Sequence, residues 1–303
     1  MHRVERQAAL GVAAIAVAWG FVGLLVRWVD LPAVAIVTSR CALAAVTIGV
    51  VLVAQRLVRG RPEPRPARRR TSRTVLVGLG LGLAVHWMFL VAAQQRAPLG
   101  TVLLITYLAP VLVTVLAPHV LGESVPPRTY VAAAVGLLGV AVLVRPGAGL
   151  GAGEVLALLA AITYAGITLG AKHVVSDVGG VRLAFIEFLV AAVALAPFAL
   201  AADWGPARAD WWWLLLLGVV LTGVLGAAFF ALLKHLPAAT FSVLTYDEPV
   251  SAVLVAWAFL DEVPTITMVV GGAMVVAAGI MVVPRAAEPM VAPERSVPGG
   301  APR

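Results

Sequence analysis

Two adjacent acidic residues lie inside an apolar stretch of this sequence. Asp247 and Glu248 are followed at once by Pro249, within residues 238–260, which otherwise have the composition of a membrane-spanning helix. A charged side chain at the bilayer centre costs about 2.5 to 3.5 kcal/mol, so it usually faces the bundle interior or a water-filled cavity. Ser251 follows the two acids by four and three residues, which groups three polar side chains on one helical arc. We expect this arc to face protein or water.

Two prolines are expected to break membrane helices. Pro249 has no backbone N–H to donate and disfavours helical geometry at the preceding residue, so its helix should be kinked or locally unwound. Pro110 repeats this feature in the first half of the chain without the acidic neighbours. Such breaks are tolerated at membrane depth where they line a cavity.

The two carboxyl groups are compatible with three roles. One of them binds the cationic group of a substrate, or takes up and releases a proton during exchange, or forms an internal salt bridge, for which Arg40 is the candidate partner. Neighbouring residues of a helix point about 100° apart. At most one of the two acids can therefore aim straight at a given partner, and a paired-acid catalytic site is not expected.

Four further side chains are candidates for substrate contact. His86 lies near the middle of an apolar run, where an imidazole titrates near neutral pH or binds a ligand, and a hydrogen bond between helices is an equal alternative. Trp19, Tyr107 and Tyr246 are expected to form aromatic walls of a cavity at the midplane, with ordinary packing as the alternative.

The remaining intramembrane charges are expected to have structural or gating roles. Arg40 and Glu187 occupy corresponding places in the segments SRCALAAV and IEFLVAAV, each near a helix end, where a long side chain reaches the interface or finds a partner. Glu123 and Glu262 lie at the ends of two other helices, where a carboxylate costs little free energy.

The sequence contains no HExxH metal motif, no GxSxG nucleophile elbow, no P-loop and no cluster of Cys and His. We therefore expect neither an enzyme nor a bound metal or cofactor. The single cysteine, Cys41, excludes an intrachain disulfide.

The composition places these residues in a membrane. The chain of 303 residues is 61% hydrophobic and 12% charged, and its mean hydropathy is +1.00. Soluble domains have about 45 to 50% apolar and about 25% charged residues. Ten apolar runs predict an all-α, multi-pass protein with ten transmembrane helices. They are centred near Ala18, Ala45, Leu83, Val111, Leu137, Ile162, Ala192, Val220, Val250 and Val275.

The basic residues orient these helices. Many of the 22 Lys and Arg residues lie in an Arg-rich loop at 56–73, and most of the others fall on the same side of the membrane. The positive-inside rule then places this loop and both termini in the cytoplasm. The apolar outer surface of the helices is expected to contact membrane lipid. The net charge of +7 is explained in this way without nucleic acid. The tail at 286–303, rich in Pro, Gly and Ala, is expected to be disordered.

The two halves of the chain resemble each other. Residues 98–123 align with 237–262, which superimposes Thr-Tyr-x-x-Pro and Leu-x-Glu, and Trp19–Arg27 aligns with Tyr164–Lys172. The halves, 8–146 and 152–284, are therefore predicted five-helix repeats. Because five is odd, the second copy enters the membrane from the opposite side, which gives the inverted repeats typical of secondary transporters.

Several marks identify a family resemblance. Pro110 with Gly122-Glu123 recurs as Pro249 with Asp261-Glu262, and Trp19-Gly20 opens the first repeat. Arg40 near the start of the second helix and four glycines in the fifth and tenth helices complete the set, Gly136, Gly139, Gly272 and Gly279. With these marks the chain resembles, over residues 8–284, the EamA-like transporters of the drug/metabolite transporter superfamily.

The resemblance implies a secondary transporter of the cytoplasmic membrane that exports small metabolites, amino acids or drugs by alternating access. It also implies a cavity lined mainly by the first, third, fourth, sixth, eighth and ninth helices. The alternatives are a channel-like passive facilitator and a membrane protein without a transport role. Direct use of ATP is not expected, whereas proton antiport, exchange and facilitated diffusion all remain open, as do the substrate and the oligomeric state.

Overall fold

The computed structural model describes residues 2–59, 71–97, 99–144, 151–205, 207–260 and 263–283. These residues form helices and short connections, without any strand. The helices are α1 (His2–Trp28), α2 (Ala33–Arg59), α3 (Arg73–Gln94), α4 (Leu99–Thr106), α5 (Ala109–Leu121), α6 (Pro127–Val144), α7 (Ala152–Val178), α8 (Gly180–Leu200), α9 (Ala207–Leu215), α10 (Leu225–Leu233), α11 (Ala238–Val243), α12 (Asp247–Leu260) and α13 (Ile266–Val282).

Apolar length defines the membrane-crossing part of the fold. Within the described residues, seven helical segments are long and apolar enough to cross a membrane, and Pro127–Val142 and Ile266–Val282 are shorter apolar helices. Each of the ten centres expected from the sequence lies in a helical segment. The all-helical membrane fold is thus confirmed, whereas the number of ten crossings stays a prediction. Most of the Arg-rich loop and the whole tail at 286–303 lie outside the described residues.

The two intramembrane prolines each stand in the first turn of a helix that follows an interruption. α4 ends at Thr106 and α5 begins at Ala109, directly before Pro110. In the second half, a 3₁₀ turn at Leu244–Tyr246 separates α11 from α12, whose third residue is Pro249. Proline lacks a backbone N–H and suits the first turn of a helix, where that donor has no intrahelical acceptor. The regular α-helix is therefore interrupted at matching places in both halves.

Glycines allow the helices to approach closely. A Cβ added at Gly139 of α6 would lie 2.8 Å from the Gly271 carbonyl oxygen of α13, and one added at Gly136 would lie 2.5 Å from the Tyr246 ring. A Cβ at Gly20 of α1 would collide with Ser251 of α12. Small residues at such contacts let backbones pack against each other in an apolar solvent, where helix association depends on close packing.

We expect Gly139→Ala to destabilise the protein by about 1 to 3 kcal/mol, because its methyl group overpacks the contact with α13. The matched control is Gly78→Ala on α3, where a Cβ meets nothing within 4 Å. Alanine is favoured over glycine in a helix by about 1 kcal/mol, so this variant should keep or gain stability. Thermal unfolding of both variants in detergent measures the difference, and equal melting temperatures would contradict the packing described.

Candidate functional site

A cavity of about 190 Å³ lies between the helices of the two halves. The six membrane helices that the family resemblance places around a cavity, the first, third, fourth, sixth, eighth and ninth, all contribute residues to its wall. Two further helices, α2 and α8, contribute Arg40 and Phe188. We call it the central cavity. Its wall is rich in aromatic side chains, which are Trp19, Trp87, Tyr107, Tyr164, Phe188, Phe229, Phe230 and Phe241. An aromatic wall with few polar groups is the usual character of a small-molecule pocket.

Glu248 supplies the acidic group of the central cavity. It lies in the first turn of α12, beside Pro249, and both residues line the cavity. The side chains of Tyr107 and Arg40 interact with its carboxyl group. Between these two described residues, however, no Arg40 nitrogen lies within 4.0 Å of a Glu248 oxygen. The direct salt bridge weighed from the sequence is therefore not formed, and Glu248 keeps acceptor capacity towards the cavity.

Arg40 turns into the bundle, so of the two alternatives drawn from its sequence position it finds partners and does not reach the membrane interface. Its Nε donates a hydrogen bond to Thr222 Oγ1 at 3.2 Å. Its guanidinium lies over the Trp87 ring, 4.3 Å from the ring centre. Arginine is stabilised over an aromatic face by a cation–π interaction. These two partners explain why the charge is accommodated at the cavity wall.

A π-helical segment at Leu216–Val224, between α9 and α10, positions two of these contacts. Its wider turn is seen at Thr222, whose hydroxyl donates to the Leu217 carbonyl five residues earlier, at 2.7 Å. The Leu221 carbonyl accepts a hydrogen bond from Trp19 Nε1 at 2.8 Å. Single π-helical turns inside α-helices are frequent at functional sites. This segment fixes the orientation of Trp19 and, through Thr222, that of Arg40.

His86 lies on the cavity wall and also joins two helices. Its Nδ1 donates to the Ala160 carbonyl oxygen of α7 at 2.9 Å. Its ring centre is 5.3 Å from that of Tyr164. The hydrogen bond between α3 and α7 follows the structural alternative drawn from the sequence, and His86 also lines the cavity.

Tyr246 lies outside the central cavity. Its hydroxyl group is within hydrogen-bonding distance of two carbonyl oxygens, those of Tyr107 at 3.2 Å and Ala133 at 3.3 Å. Its ring packs on Gly136. The side chain is fully buried and links α6 to the interruption before α5.

The polar arc expected from Asp247, Glu248 and Ser251 is divided between different surroundings. Asp247 lies beside Gly279 of α13, and a Cβ there would be 3.6 Å from its Oδ1. Ser251 Oγ donates to the Glu248 carbonyl at 2.9 Å and packs against α1. Because successive residues point about 100° apart, only Glu248 of the three reaches the cavity wall. Of the seven expected contact residues, the structure brings together Trp19, His86, Tyr107 and Glu248.

A polar cluster lies at one end of the bundle. Lys172 Nζ lies 3.7 Å from Glu123 Oε1 and donates to the carbonyls of Leu233, at 3.0 Å, and Leu236. Glu123 Oε2 accepts a hydrogen bond from the Ala238 N–H at 2.7 Å. We call this set the Lys172 cluster. It lies at one end of the central cavity, since Ala171 and Leu233 line the wall. The corresponding Glu262 lies outside the described residues.

Glu187 on α8 is completely buried, with 0% of its surface exposed. It therefore does not reach the interface, although its position near a helix end suggested that. Among the described residues, neither of its carboxyl oxygens has a hydrogen-bond partner.

Sequence reasoning did not select Tyr164, Trp87 or Thr222 as cavity residues. Tyr164 had a signal, because it occupies the place of Trp19 in the aligned halves. No sequence signal indicated Thr222, because the π-helical turn that contains it changes which side chains lie on the same face of the helix. Thr106 and Thr245 also line the cavity and also correspond in the alignment. Within the described residues, no group of three or more His, Cys, Asp or Glu side chains could hold a metal ion.

A bundle of apolar helices around a cavity with aromatic walls and few charged groups is compatible with a small-molecule site inside a membrane. The EamA-like transporter family model matches the chain twice, over residues 6–145 and 151–283. The chain belongs to this family, in agreement with the resemblance read from its prolines, glycines and acidic residues.

Two curated relatives carry transporter names. An uncharacterized transporter of Archaeoglobus fulgidus is 29% identical over 213 residues, which covers 70% of this chain and 77% of the relative. An uncharacterized transporter of Bacillus subtilis, YxxF, is 24% identical over 270 residues, or 86% of this chain and 84% of the relative. A solved crystal structure shares the fold with a TM-score of 0.75 at 20% identity, covering 91% of this chain and 98% of the other.

Proposed function

We propose that this protein is a secondary transporter that exports small metabolites, amino acids or drugs across the cytoplasmic membrane. The observation that carries the proposal is Glu248, a carboxyl group facing an aromatic cavity inside an apolar bundle without a close ionic partner. An intramembrane charge of this kind is costly unless it serves a ligand, an ion or water. Family membership and the names of the relatives support the same function.

The proposed substrate site consists of Glu248 with Trp19, His86 and Tyr107. In this assignment Glu248 binds a cationic group, and the aromatic side chains hold the apolar part of the substrate. The cavity volume of about 190 Å³ is below the range of about 300 to 1,000 Å³ typical of drug-sized ligands. In this conformation the site therefore favours small metabolites and amino acids over bulky drugs.

The proposed mechanism is alternating access between two inverted five-helix repeats, with both termini in the cytoplasm. The two separate family matches support the repeats, and the interruptions before Pro110 and Pro249 support matching hinges. In this orientation the Lys172 cluster lies at the cytoplasmic end of the cavity. A contact that joins α5, α7 and the α10–α11 connection across one end favours a carrier over an open channel.

A counterflow assay tests the function. Purified protein in liposomes is loaded with unlabelled L-leucine, putrescine, uracil or ethidium, and uptake of the same compound in labelled or fluorescent form is followed. We expect transient accumulation of at least one compound above the level in protein-free liposomes. If all four compounds, and the wider sets of amino acids, amines and nucleosides, equilibrate as in protein-free liposomes, the proposal is wrong.

We expect Glu248→Gln and Asp247→Asn to differ in this assay. Glu248 faces the cavity, and losing a hydrogen bond to a charged group costs about 1.5 to 3 kcal/mol, or about a tenfold or greater loss of affinity. Asp247 lies beside α13, so Asp247→Asn should stay within about threefold of the wild type. Full transport by Glu248→Gln, or an equal loss in both variants, would contradict the assigned site.

The Lys172 cluster should control access from its own end. Lys172→Met removes charge-assisted hydrogen bonds worth about 1.5 to 3 kcal/mol, so the open fraction should rise about tenfold. Thr168 lines the central cavity. In a Cys41→Ala background, Thr168→Cys therefore reports access to the cavity through its rate of labelling by an impermeant maleimide in inside-out vesicles. Lys234→Met, which removes an exposed charge at the same end, is the control. Equal labelling rates in both lysine variants would show that the Lys172 cluster does not restrict access to the central cavity.

A further inference from the structure

Glu187 differs from every other acidic residue described above. It lies on α8 with none of its surface exposed, and both carboxyl oxygens are without a hydrogen-bond partner among the described residues. Glu248 faces the central cavity and Glu123 is bound in the Lys172 cluster, whereas Glu187 belongs to neither. A buried carboxylate in that position has no compensation for its lost hydration.

Among the described side chains of the neighbouring helices, no cation neutralises Glu187. α8 packs against α2, α3, α7 and α10. Inside the bundle, Arg40 is directed to Thr222, His86 to Ala160 and Lys172 to Glu123. α10 carries no titratable side chain. The other titratable groups described on these elements are Cys41, Arg56, Arg73, Glu154, Tyr164, His173, Asp177 and, on α8 itself, Arg182. None of them donates a hydrogen bond to Glu187.

The group that satisfies an isolated buried carboxylate most simply is a proton. A neutral carboxylic acid can remain in an apolar bundle, whereas an ionised carboxylate would require water or a positive charge. Burial without a partner therefore favours the neutral carboxylic acid at Glu187 in the described conformation.

The central cavity lies one residue away from this acid. Phe188, the next residue of α8, lines the cavity, and its ring centre is 5.7 Å from that of Trp87. Because neighbouring helix residues point about 100° apart, a rotation of α8 of that order against α3 would be needed to exchange Phe188 for Glu187 at the cavity wall. The corresponding residue of the first half, Arg40, is on the cavity wall already.

We propose that Glu187 is the proton-binding residue that couples transport to a proton gradient, a role separate from substrate binding at Glu248. The carboxylate forms an O–H bond with a proton from water on one side, and the neutral acid is buried in the described conformation. When the bundle rearranges and the acid faces water on the other side, that bond breaks and the proton leaves. Substrate crosses in the opposite direction. The proposal rests on the transport function proposed above.

Infrared spectroscopy tests the proton site without a substrate. In purified wild-type protein at neutral pH, the C=O stretching band of a protonated carboxyl group should be present, and Glu187→Gln should remove it. Glu154→Gln, at a partly exposed site near the start of α7, should keep the band. Glu187→Asp retains a carboxyl group and should keep a shifted band, which also distinguishes a missing proton site from a misfolded protein. A band that is unchanged in Glu187→Gln would overturn the proposal.

Proton flux tests the coupling. Liposomes containing the protein and the pH dye pyranine receive L-leucine, putrescine, uracil or ethidium, with the membrane potential clamped at zero. For one-to-one exchange of a compound whose charge does not change, a gradient of one pH unit drives about a tenfold concentration ratio. We expect Glu187→Gln to lose this accumulation and the proton flux, while counterflow without a gradient continues.

The outcomes separate this inference from the function on which it rests. Proton coupling at Glu187 is contradicted if gradient-driven accumulation persists in Glu187→Gln, or if wild-type transport does not depend on the pH gradient. Neither result contradicts the proposed transport function. Absence of transport by the wild type contradicts the proposed function, and the infrared band then decides on its own whether Glu187 holds a proton.

Discussion

An ionised side chain inside an apolar helix bundle requires a compensating partner, and the described site is organised by that requirement. Lys172 is compensated by Glu123 and by carbonyl oxygens at the end of α10. Arg40 is compensated by the Thr222 hydroxyl and by the face of Trp87. Glu248 is placed at the wall of a cavity, where a ligand or water can serve its carboxyl group. Each of these three arrangements depends on a particular backbone conformation near the charged residue or its partners.

Three irregular backbone segments supply those local geometries. The interruption before Pro110 and the 3₁₀ turn before Pro249 bring Tyr107 and Glu248 to the same cavity. The π-helical turn at Leu216–Val224 makes the Leu221 carbonyl an acceptor for Trp19 and presents Thr222 to Arg40. Irregular backbone at membrane depth is tolerated where it is buried in protein or lines a cavity. The regular helices around them act as the scaffold.

The positions of the helices and of their interruptions could be predicted, because apolar runs and prolines are local features of the sequence. The rotation of each helix about its axis could not. Almost all residues of α12 are apolar, so no apolar stripe indicates which side faces its neighbours. The close contact of Gly20 with Ser251 sets the rotation of α12 about its axis. This rotation directs Glu248 to the cavity and Asp247 towards α13. A contact between residues so distant in the sequence has no local signal.

The inward orientation of Arg40 was unpredictable for a related reason. Its position near a helix end is typical of a side chain that extends to the interface. The partners that draw it inward, Thr222 and Trp87, come from other helices, and one of them depends on a π-helical turn. Tyr164 was accessible to sequence reasoning, since its alignment with Trp19 places both on equivalent faces.

The central claim is that the cavity around Glu248 belongs to a carrier that binds its solute and alternates between two sides. The most direct measurement is the efflux rate of a transported compound from liposomes as a function of its concentration on both sides. The account predicts that efflux saturates and that the same compound on the opposite side accelerates it. Efflux that rises in proportion to concentration, without acceleration from the opposite side, would identify a passive channel and contradict the account.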